Sequence, residues 1–509
     1  MTAPVLEKPT RPGSKPPRVK VGFDFPLALE RRSATPLHRQ LVYSLRNAIS
    51  RGLLRAGDKL PSSRTLAASL GVSRNVVVLA FEDLMAEGYL CTAPGAATTV
   101  NPGFRPLEGG FKAHPLEAGL RRWLQNPTPP SPSDPPLRPG LLEFRLGQPD
   151  TSALPLEAWR RGWREVTHGP IPGDYGDPQG HFALREAIAQ YLGRSRGLKV
   201  DPESVLIVSG CVQALDLLAR ACLKRGDRVA LENPGYRMAR AVFEGHGATL
   251  LPIEVDGDGL CVTGLPTGEN APLMLYCTPS HQYPLGVRLS VSRRHALLEW
   301  AGQNEVLLLE DDYDGEFRYD ASPLPALASL DRGGNVVYLG TFSKTLSPAL
   351  RVGYLVAEPE LLERLVGFKR LSDFHSPLPM QQFLADFVGS GELERHIWRM
   401  RRIYAHKRNL LEHSLRPIST LAQLSGLEAG LHVLLDLAPK ISAVEVEKMV
   451  LERGVKVSTL GSYQIAGEAQ NALLLGYGGL TEAEIVRGAG VLCEVISELA
   501  RGNFQSVQP

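Results

Sequence analysis

The sequence predicts a two-part protein: a small, mainly α-helical winged helix-turn-helix, followed by a large α/β domain whose parallel sheet is covered by helices. Three observations predict this division. The 509 residues exceed what one hydrophobic core usually serves. A proline-rich stretch, NPTPPSPSDPPLRPG at 126–140, separates two blocks of sequence. Residues 35–100 have helical periodicity, whereas β-branched runs alternate with helical patterns from residue 142 onward.

These changes along the chain define four segments. They are a flexible N-terminal arm at 1–34, the winged helix-turn-helix at 35–102, a Pro-rich linker at 103–141 and the α/β domain at 142–500. Ten of the 40 prolines fall between 101 and 140, which favours an extended linker. We expect one short helix within it, in LEAGLRRWL around Trp123.

Charge and cysteine content narrow the class of protein. Residues 1–100 hold 14 Lys/Arg and 7 Asp/Glu, whereas the rest of the chain holds 42 and 47. A basic front on an acidic body suggests contact with an anionic partner such as nucleic acid, although a solvated basic face would give the same balance. The six cysteines have no CxxC spacing, which predicts neither a disulfide framework nor a metal site. With no signal peptide and no membrane-length apolar run, we expect a cytoplasmic protein.

The N-terminal block has the spacing of a helix-turn-helix. A first helix in TPLHRQLVYSLRNAISRGLL is followed by a short second helix that ends at Gly71, where glycine suits a tight turn. Ser73 is placed to cap a third helix, and GYLCTAPGAATTV predicts two short strands around Pro94–Gly95, a wing. The buried faces of the three helices are predicted at Leu41, Leu45, Ala48, Ile49, Leu66, Ala67, Leu70, Val77, Ala80, Phe81 and Leu84.

The third helix begins with Ser73, Arg74 and Asn75, whose side chains can donate to base edges or phosphates. A packing module without DNA is the alternative. The run LPSSRTLAASLGVSRNVVVLAFEDLMAEGYL resembles the winged helix-turn-helix of the GntR family. That resemblance implies that Arg64, Ser73, Arg74 and Asn75 contact double-stranded DNA and that Thr99 of the wing touches its backbone. The wing GAATTV departs from the Gly-Gly-Thr-like run that many members have.

The large block contains five apolar runs that predict buried strands: SVLIVSG, RVALENP, LMLYCTPS, VLLLEDDY and NVVYLGT. Helical stretches such as 184–192 and 212–223 lie between them. This alternation is typical of a parallel sheet with helices on both faces, and such sheets bind ligands at the carboxyl ends of their strands.

Residues with the chemistry of an aldehyde cofactor site follow these strands. In GTFSKTLSPALRVGY, Lys344 could be solvated or could attack a carbonyl group. Asp311, with its neighbour Asp312 as the rival, could pair with a pyridine nitrogen, while Tyr313 could bond the phenolic oxygen. Phosphate ligands are expected in the backbone at Ser209–Gly210, together with Thr341, Ser343 and Arg351, and Tyr236 could stack on the ring.

Longer motifs identify a family resemblance. YGDPQGHFALREAIAQYL, ENPGYR, TPSHQYPLGVRLS, EDDYDGEFRY and GTFSKTLSPALRVGYLV are similar to motifs of fold-type I pyridoxal-phosphate-dependent aminotransferases. The whole chain resembles the MocR group of GntR regulators, which fuse the two blocks. The resemblance implies pyridoxal 5′-phosphate as cofactor, with Lys344 forming its Schiff base. It assigns the other cofactor contacts to Gly210, Cys211, Tyr236, Asp311, Tyr313, Thr341, Ser343 and Arg351.

The resemblance also implies an assembly. Tyr175, in YGDP, matches the tyrosine that aminotransferases lend to the phosphate of the neighbouring subunit. We therefore expect a homodimer, with the DNA-binding block of one chain docked on the large domain of the other.

Two departures from the aminotransferase pattern bear on function. Tyr283 stands where aminotransferases usually have an asparagine that bonds the cofactor. Leu474, in NALLLGYGGL, stands where they have the arginine that grips the substrate carboxylate. A leucine cannot pair with a carboxylate, so ordinary transamination is not expected, although Arg237 or Arg240 could bind a carboxylate instead.

Three functions remain in competition at this point. We expect a transcriptional regulator that senses pyridoxal phosphate itself, or else an amino compound captured by the bound cofactor. An aminotransferase carrying a DNA-binding domain is the second alternative. A structural dimer that has lost the cofactor is the third.

Overall fold

The structure is a computed structural model that describes residues 29–31, 33–93, 96–105, 139–319 and 325–505, with side chains as far as Arg501. The chain divides into two compact units, 1–126 and 127–509, and each is described by itself. Most of the predicted arm and linker, the helix around Trp123 and the wing tip Pro94–Gly95 lie outside the described residues. Within the described ranges, no helix is long and apolar enough to cross a membrane.

The first unit is the predicted winged helix-turn-helix. Its elements are α1 (Leu37–Ser50), α2 (Ser63–Leu70), α3 (Arg74–Ala86) and the antiparallel pair β1 (Leu90–Cys91) and β2 (Thr99–Val100). Every predicted core position of α1 and α3 is buried, and so are Leu66 and Ala67 of α2. Leu70, also predicted to be buried, is only partly covered. The helical period therefore gave the inner face of all three helices.

The two turn predictions had different outcomes. Gly71 ends α2 with a φ of 64°, the left-handed conformation that favours glycine, as expected. Ser73 is the N-cap residue of α3, as predicted, but its side chain makes no capping hydrogen bond. Its backbone carbonyl accepts the Val76 N–H at 3.1 Å instead. A capping side chain is present at the start of α2, where Ser62 accepts from the backbone N–H of Thr65.

The second unit alternates helices and strands. Its helices are α4 (Leu156–His168), α5 (Phe182–Arg196), α6 (Cys211–Cys222), α7 (Arg237–Gly245), α8 (Val291–Asn304), α9 (Leu327–Leu330), α10 (Pro359–Ser372), α11 (Leu378–Gly389), α12 (Glu392–Leu415), α13 (Ala443–Glu452) and α14 (Glu482–Gln505). Its strands are β3 (Leu142–Glu143), β4 (Val205–Val208), β5 (Arg228–Asn233), β6 (Thr249–Asp256), β7 (Gly259–Leu260), β8 (Met274–Cys277), β9 (Leu307–Asp312), β10 (Val336–Thr341), β11 (Gly353–Val356), β12 (Ala422–Ser425), β13 (His432–Leu437), β14 (Val455–Lys456), β15 (Ser458–Thr459) and β16 (Ala472–Gly476).

Eight strands form the central sheet in the order β4-β11-β10-β9-β8-β5-β6-β7. All five predicted strands are present, and β10, β9, β8, β5 and β6 pair in parallel. The expectation of a parallel sheet was incomplete, because β11 runs antiparallel between β10 and β4. Only a short loop joins β10 to β11, too short for the crossover that a parallel pair needs.

Both faces of this sheet are buried, as the continuous apolar strands predicted. Along β4, Leu206 and Val208 pack in one apolar cluster, whereas Val205 and Ile207 pack in another. Because β4 and β10 flank β11 and both oppose it, their carboxyl ends lie at the same edge as those of β9, β8 and β5. This edge is where the loops with the predicted ligand-binding residues begin.

A smaller antiparallel sheet lies near the C-terminus, in the order β12-β13-β16-β15. Its register pairs Leu434 with Leu474. On one face these leucines pack with Leu460, Tyr463 and Ala472 in a small apolar cluster, against which Tyr283 also packs. The other face of the sheet faces the main core.

Candidate functional site

A cavity of about 160 Å³ lies at the carboxyl edge of the central sheet. It brings together eight of the residues predicted from the sequence, namely Cys211, Tyr236, Asp311, Tyr313, Thr341, Ser343, Lys344 and Arg351. Val212, Tyr276, Tyr283 and Pro348 complete its wall. Residues that are far apart in sequence meet here because the loops after parallel strands converge at one edge.

Lys344 follows β10 and lies in the wall of this cavity. Lys344 is half-buried, because part of its side chain borders the cavity. The protein that surrounds the rest of the side chain desolvates its amino group. That desolvation lowers the pKa of Lys344, although Asp314 and Asp311 act in the opposite direction. A lysine whose pKa is lowered by burial spends more time as the neutral amine, which is the form that attacks an aldehyde.

Gly147 lies against the end of the Lys344 side chain. A Cβ atom placed on Gly147 would lie 2.5 Å from Lys344 Nζ, and the glycine has a φ of 65°. The backbone conformation favours glycine at this point, and a side chain here would displace the end of Lys344. The sequence analysis did not identify this contact.

Asp311 and Asp312, adjacent at the end of β9, have different environments. Asp311 lines the cavity, and its Oδ2 accepts hydrogen bonds from Tyr276 Oη at 2.6 Å and Cys211 Sγ at 3.1 Å. Burial raises the pKa of Asp311 to about 6, against the lowering effect of these two donors. Asp312 instead pairs with Arg196 at 2.5 Å and accepts from Tyr338. The alternation along a strand separates the two carboxylates, and only Asp311 borders the cavity.

The start of α6 forms one end of the cavity. Gly210 precedes the helix with a φ of 101°, and a Cβ atom there would lie 3.2 Å from Arg351 Nη2. Arg351 is exposed and donates to the Ser209 carbonyl at 2.7 Å, while the Thr341 hydroxyl accepts from the backbone of Ser343 at 3.1 Å. Free N–H groups at a helix start, a guanidinium and hydroxyls are the groups that hold a phosphate.

Aromatic side chains form the opposite end. Tyr283 packs edge-on against Tyr236, Tyr313 and Tyr463, with ring centroids 5.5–5.7 Å apart. The Arg237 guanidinium lies over the ring of Tyr463, 4.6 Å from its centroid. Arg240 pairs with Glu244 at 2.9 Å. Both arginines therefore already contact the protein, which weakens them as carboxylate ligands.

Leu474 gives no carboxylate contact. It is completely buried in the small apolar cluster with Leu434, Leu460 and Tyr463. A carboxylate brought here would lose its hydration without gaining a charge partner, at a cost of several kcal/mol.

Tyr175 is not among the residues that line this cavity. Its ring is exposed and lies 4.9 Å from the ring of Phe374. An exposed tyrosine fits a residue that serves a neighbouring subunit, but within one chain its predicted role stays a prediction.

The predicted DNA-contacting residues lie on the first unit. Arg64, Ser73, Arg74 and Asn75 are all exposed around the start of α3. Arg74 Nε donates to Ser63 Oγ at 3.3 Å, which leaves its terminal nitrogens accessible. Thr99 is only half-exposed, and its hydroxyl lies 3.3 Å from Cys91 Sγ, so a contact between Thr99 and DNA remains a prediction.

Several residues of the cavity region escaped the sequence analysis. The strand that contains Tyr276 was predicted, but its hydrogen bond to Asp311 was not. His281, Asp314 and His432 were also missed, and they are buried close to Tyr313 and Tyr283. His281 and Asp314 lie within the motifs TPSHQYPLG and EDDYDGEF, so the sequence analysis singled out their motifs but assigned neither residue a role. Among the described residues, no group of three or more His, Cys, Asp or Glu is placed to hold a metal ion.

Comparison with known proteins agrees with this architecture. The model of the gntR family of bacterial regulatory proteins matches residues 37–100, and that of aminotransferase class I and II matches residues 140–492. The pyridoxine biosynthesis transcriptional regulator PdxR of Corynebacterium glutamicum is 36% identical, over 94% of this chain and 99% of its own. The probable rhizopine catabolism regulatory protein MocR of Rhizobium meliloti is 34% identical, over 92% and 95%.

Solved structures match the second unit. The α-aminoadipate aminotransferase LysN from Thermus thermophilus, crystallised with N-(5′-phosphopyridoxyl)-L-leucine, is 30% identical with a TM-score of 0.65. The match covers 71% of this chain and 94% of that one. The kynurenine aminotransferase of Pyrococcus horikoshii is 27% identical with a TM-score of 0.66, over 70% and 91%.

Proposed function

The chain belongs to the MocR group of GntR-family DNA-binding transcriptional regulators, which join a winged helix-turn-helix to an aminotransferase class I and II domain, and from this premise we propose that it senses pyridoxal 5′-phosphate through Lys344. The single observation that carries the proposal is the contrast between the two ends of the cavity. Eight of the residues proposed to hold the cofactor line the cavity, whereas the residue that stands where aminotransferases have the carboxylate clamp is Leu474, completely buried among apolar side chains.

The residues of the cavity fit this cofactor part by part. Pyridoxal phosphate supplies an aldehyde that a neutral amine can attack, together with an electron-withdrawing pyridine ring. Lys344 would hold the aldehyde carbon and Asp311 the pyridine nitrogen, while Tyr313 would bond the phenolic oxygen and Tyr236 would cover the ring. The phosphate would lie at the start of α6, held by Gly210, Cys211, Thr341, Ser343 and Arg351.

One relative supports pyridoxal phosphate as the signal. The regulator from Corynebacterium glutamicum is named for pyridoxine biosynthesis, and its similarity extends over nearly the whole of both chains. A regulator of that process gains by binding its end product. Because Lys344, Asp311 and Arg351 serve the cofactor and not a substrate carboxylate, loss of the clamp does not weaken this sensor.

We also propose that two copies of the chain form the working unit. The exposed ring of Tyr175 supports this, since it would complete the phosphate site of the other copy. The DNA-binding block of one chain would dock on the large domain of the other. A two-fold dimer would in turn present two recognition helices to an operator with related half-sites.

Titration of operator DNA with the purified protein tests the proposal. DNA from the region upstream of the protein's own gene and of vitamin B6 genes is used, with and without pyridoxal phosphate. We expect the dissociation constant to change at least about fivefold with the cofactor alone, the usual size of an allosteric coupling. An unchanged dissociation constant at saturating cofactor, confirmed as bound by absorbance, would reject pyridoxal phosphate as the signal.

The same titration separates the alternatives. A response that appears only when an amino compound is added to the cofactor-loaded protein would identify that compound as the effector. Repeated conversion of the cofactor to its amine form with an amino donor and a keto acid would instead reveal an aminotransferase.

A second prediction concerns the DNA surface. We expect Arg64→Ala and Arg74→Ala each to lower operator affinity about tenfold, because each removes a cation that can bond a phosphate or a base edge. Gel-shift or fluorescence titration at fixed salt measures the change. Arg46→Ala is the matched control, since Arg46 pairs with Glu87 at the opposite end of α3, roughly 20 Å along the helix. Equal losses in all three variants would contradict the assignment.

A further inference from the structure

A buried polar cluster lies beside the cavity and has no role in the proposal so far. His281 and Asp314 are 2% and 1% exposed, and Tyr313 is 8% exposed. His281 Nδ1 lies 3.0 and 3.1 Å from the two carboxylate oxygens of Asp314 and 2.9 Å from the Tyr313 hydroxyl. One ring nitrogen therefore contacts both a carboxylate and a tyrosine of the cavity wall.

The chemistry of the three groups fixes the direction of their hydrogen bonds. An ionised carboxylate only accepts, so the proton shared with Asp314 belongs to His281 Nδ1. Once Nδ1 carries a proton it has no lone pair left for Tyr313. The Tyr313 oxygen can then only accept from Nδ1, and its own proton must point elsewhere. Because Tyr313 lines the cavity, that proton is available to a ligand there.

The fold keeps His281 in this orientation. A Cβ atom on Gly430 would lie 2.0 Å from His281 Cε1, and one on Gly286 would lie 3.3 Å from Nε2. Nε2 is buried and has no hydrogen-bond partner among the described residues. A proton on Nε2 would be a buried donor without an acceptor, which is costly, so these surroundings favour the ring form that carries its proton on Nδ1.

We propose that His281 and Asp314 are positioning residues that make the Tyr313 hydroxyl donate into the cavity, and that they thereby set the pH at which the cofactor bonded to Lys344 takes up its proton. The inference rests on the proposed function, because it presumes that Lys344 binds pyridoxal phosphate. This role would explain why two polar residues, His281 and Asp314, are buried beside the cavity.

The direction of the pH effect follows from the cofactor's chemistry. In pyridoxal phosphate the phenolic oxygen is next to the aldehyde carbon, so a proton on the Lys344 nitrogen and the Tyr313 hydroxyl both stabilise that oxygen. A hydrogen bond from Tyr313 stabilises the phenolic oxygen even without the proton on the Lys344 nitrogen. The pKa of that nitrogen is therefore lower when Tyr313 donates. Loss of the Tyr313 donor therefore raises the pH midpoint.

Other titratable or charged groups surround Tyr313 and His281, and they are the same in the wild-type protein and in all the variants compared below. They come from β5, α6, β8, β9, β13 and the loops between, and comprise Glu232, Cys211, Tyr276, Asp311, His432, Tyr236, Tyr283 and Arg351. None of them is altered in the variants. Asp314 also raises the pKa of Lys344 directly, so the Tyr313→Phe background described below is needed to separate that effect from the His281–Tyr313 contact.

The test is a pH titration of the visible absorbance of the cofactor-loaded full-length protein. Tyr313→Phe is expected to raise the midpoint by about one to two pH units, the size of a hydrogen bond to a charged oxygen. His281→Gln and His281→Leu lack the Nδ1 donor and should raise it by about half a unit or more. His281→Asn restores an N–H near that position and should return the midpoint towards wild type.

Two comparisons separate orientation from general disturbance. In a Tyr313→Phe background, His281→Gln should add no further shift, because the hydroxyl it orients is gone. His246→Leu, which removes a histidine–carboxylate pair of 2.8 Å with Asp216 elsewhere in the large unit, is the control for His281→Leu and should leave the midpoint unchanged. Wild-type midpoints in both His281→Gln and His281→Leu, or additive shifts in the double variant, would overturn the inference alone. If the wild-type protein develops no cofactor band at all, the proposed function fails first.

Discussion

The Lys344→Ala protein is expected to lose covalent cofactor binding completely and, with it, any response of DNA affinity to pyridoxal phosphate. Lys344 is the one lysine among the residues that line the cavity. Arg351 cannot replace it, because a guanidinium stays protonated and does not attack an aldehyde. The visible absorbance band and the mass added after borohydride reduction should both disappear. Basal DNA binding should remain, since the recognition helix is in the other unit.

The variant should also stay folded. Lys344 borders a cavity and is only half-buried, so alanine removes no apolar packing from the core. The lowered pKa of this lysine shows that its burial is a cost in the charged form, and alanine relieves that cost. Lys199→Ala, on the exposed surface, is the matched control and should keep the band. A reduced adduct that persists in Lys344→Ala would place the covalent bond on another residue.

The sequence predicted the helix-turn-helix in detail because its information is local. The spacing of Leu41, Leu45 and Ile49 and the glycine at 71 are each determined by a few neighbouring residues. The central sheet was predicted less completely. Strand β6 contains Pro252 and has exposed residues along its length, so it does not resemble the continuous apolar runs of the five predicted strands. Strand β11 is a short buried run like β4 and β8, but it lies within the motif that was assigned to the cofactor site. Strand order and the antiparallel β11 depend on tertiary pairing, which a single sequence does not display.

The candidate site shows the same division between local and long-range information. Asp311, Lys344 and Arg351 could be predicted because each lies in a distinctive motif after a strand. The contact between Tyr276 and Asp311 could not, because it arises only when β8 and β9 become neighbours in the sheet. His281 and Asp314 lie 33 residues apart, and nothing in either motif indicates that they meet.

The adjacent carboxylates Asp311 and Asp312 provide the second large expected effect, because the same substitution should have opposite consequences one residue apart. Asp311→Asn is expected to lower the affinity for pyridoxal phosphate about a hundredfold or more. Breaking a buried charge pair costs about 3–5 kcal/mol, and each 1.4 kcal/mol is a factor of ten in affinity. The pair lost would be the proposed one between Asp311 and the protonated pyridine nitrogen. Absorbance titration measures the dissociation constant.

Asp311→Asn should not weaken the cofactor-free fold. Burial raises the pKa of Asp311 to about 6, so its charge opposes folding at neutral pH. A raised pKa means that the folded state binds more protons than the unfolded state between about pH 4 and 6. The stability that the protonated Asp311 contributes to the fold is therefore lost as the pH rises through that range. At pH 7 the asparagine protein should be as stable as the wild type or more so, by urea unfolding of the cofactor-free protein.

Asp312→Asn should behave in the reverse way. It leaves Arg196 buried without the carboxylate that lies 2.5 Å from its Nε, although Glu316 remains 3.2 Å from Nη2. We expect a loss of about 3–5 kcal/mol in the free energy of unfolding, with little change in cofactor affinity for the protein that remains folded. If both variants lost affinity equally, the two faces of β9 would not be separated as the structure has them, and the assignment of Asp311 to the cofactor would fall.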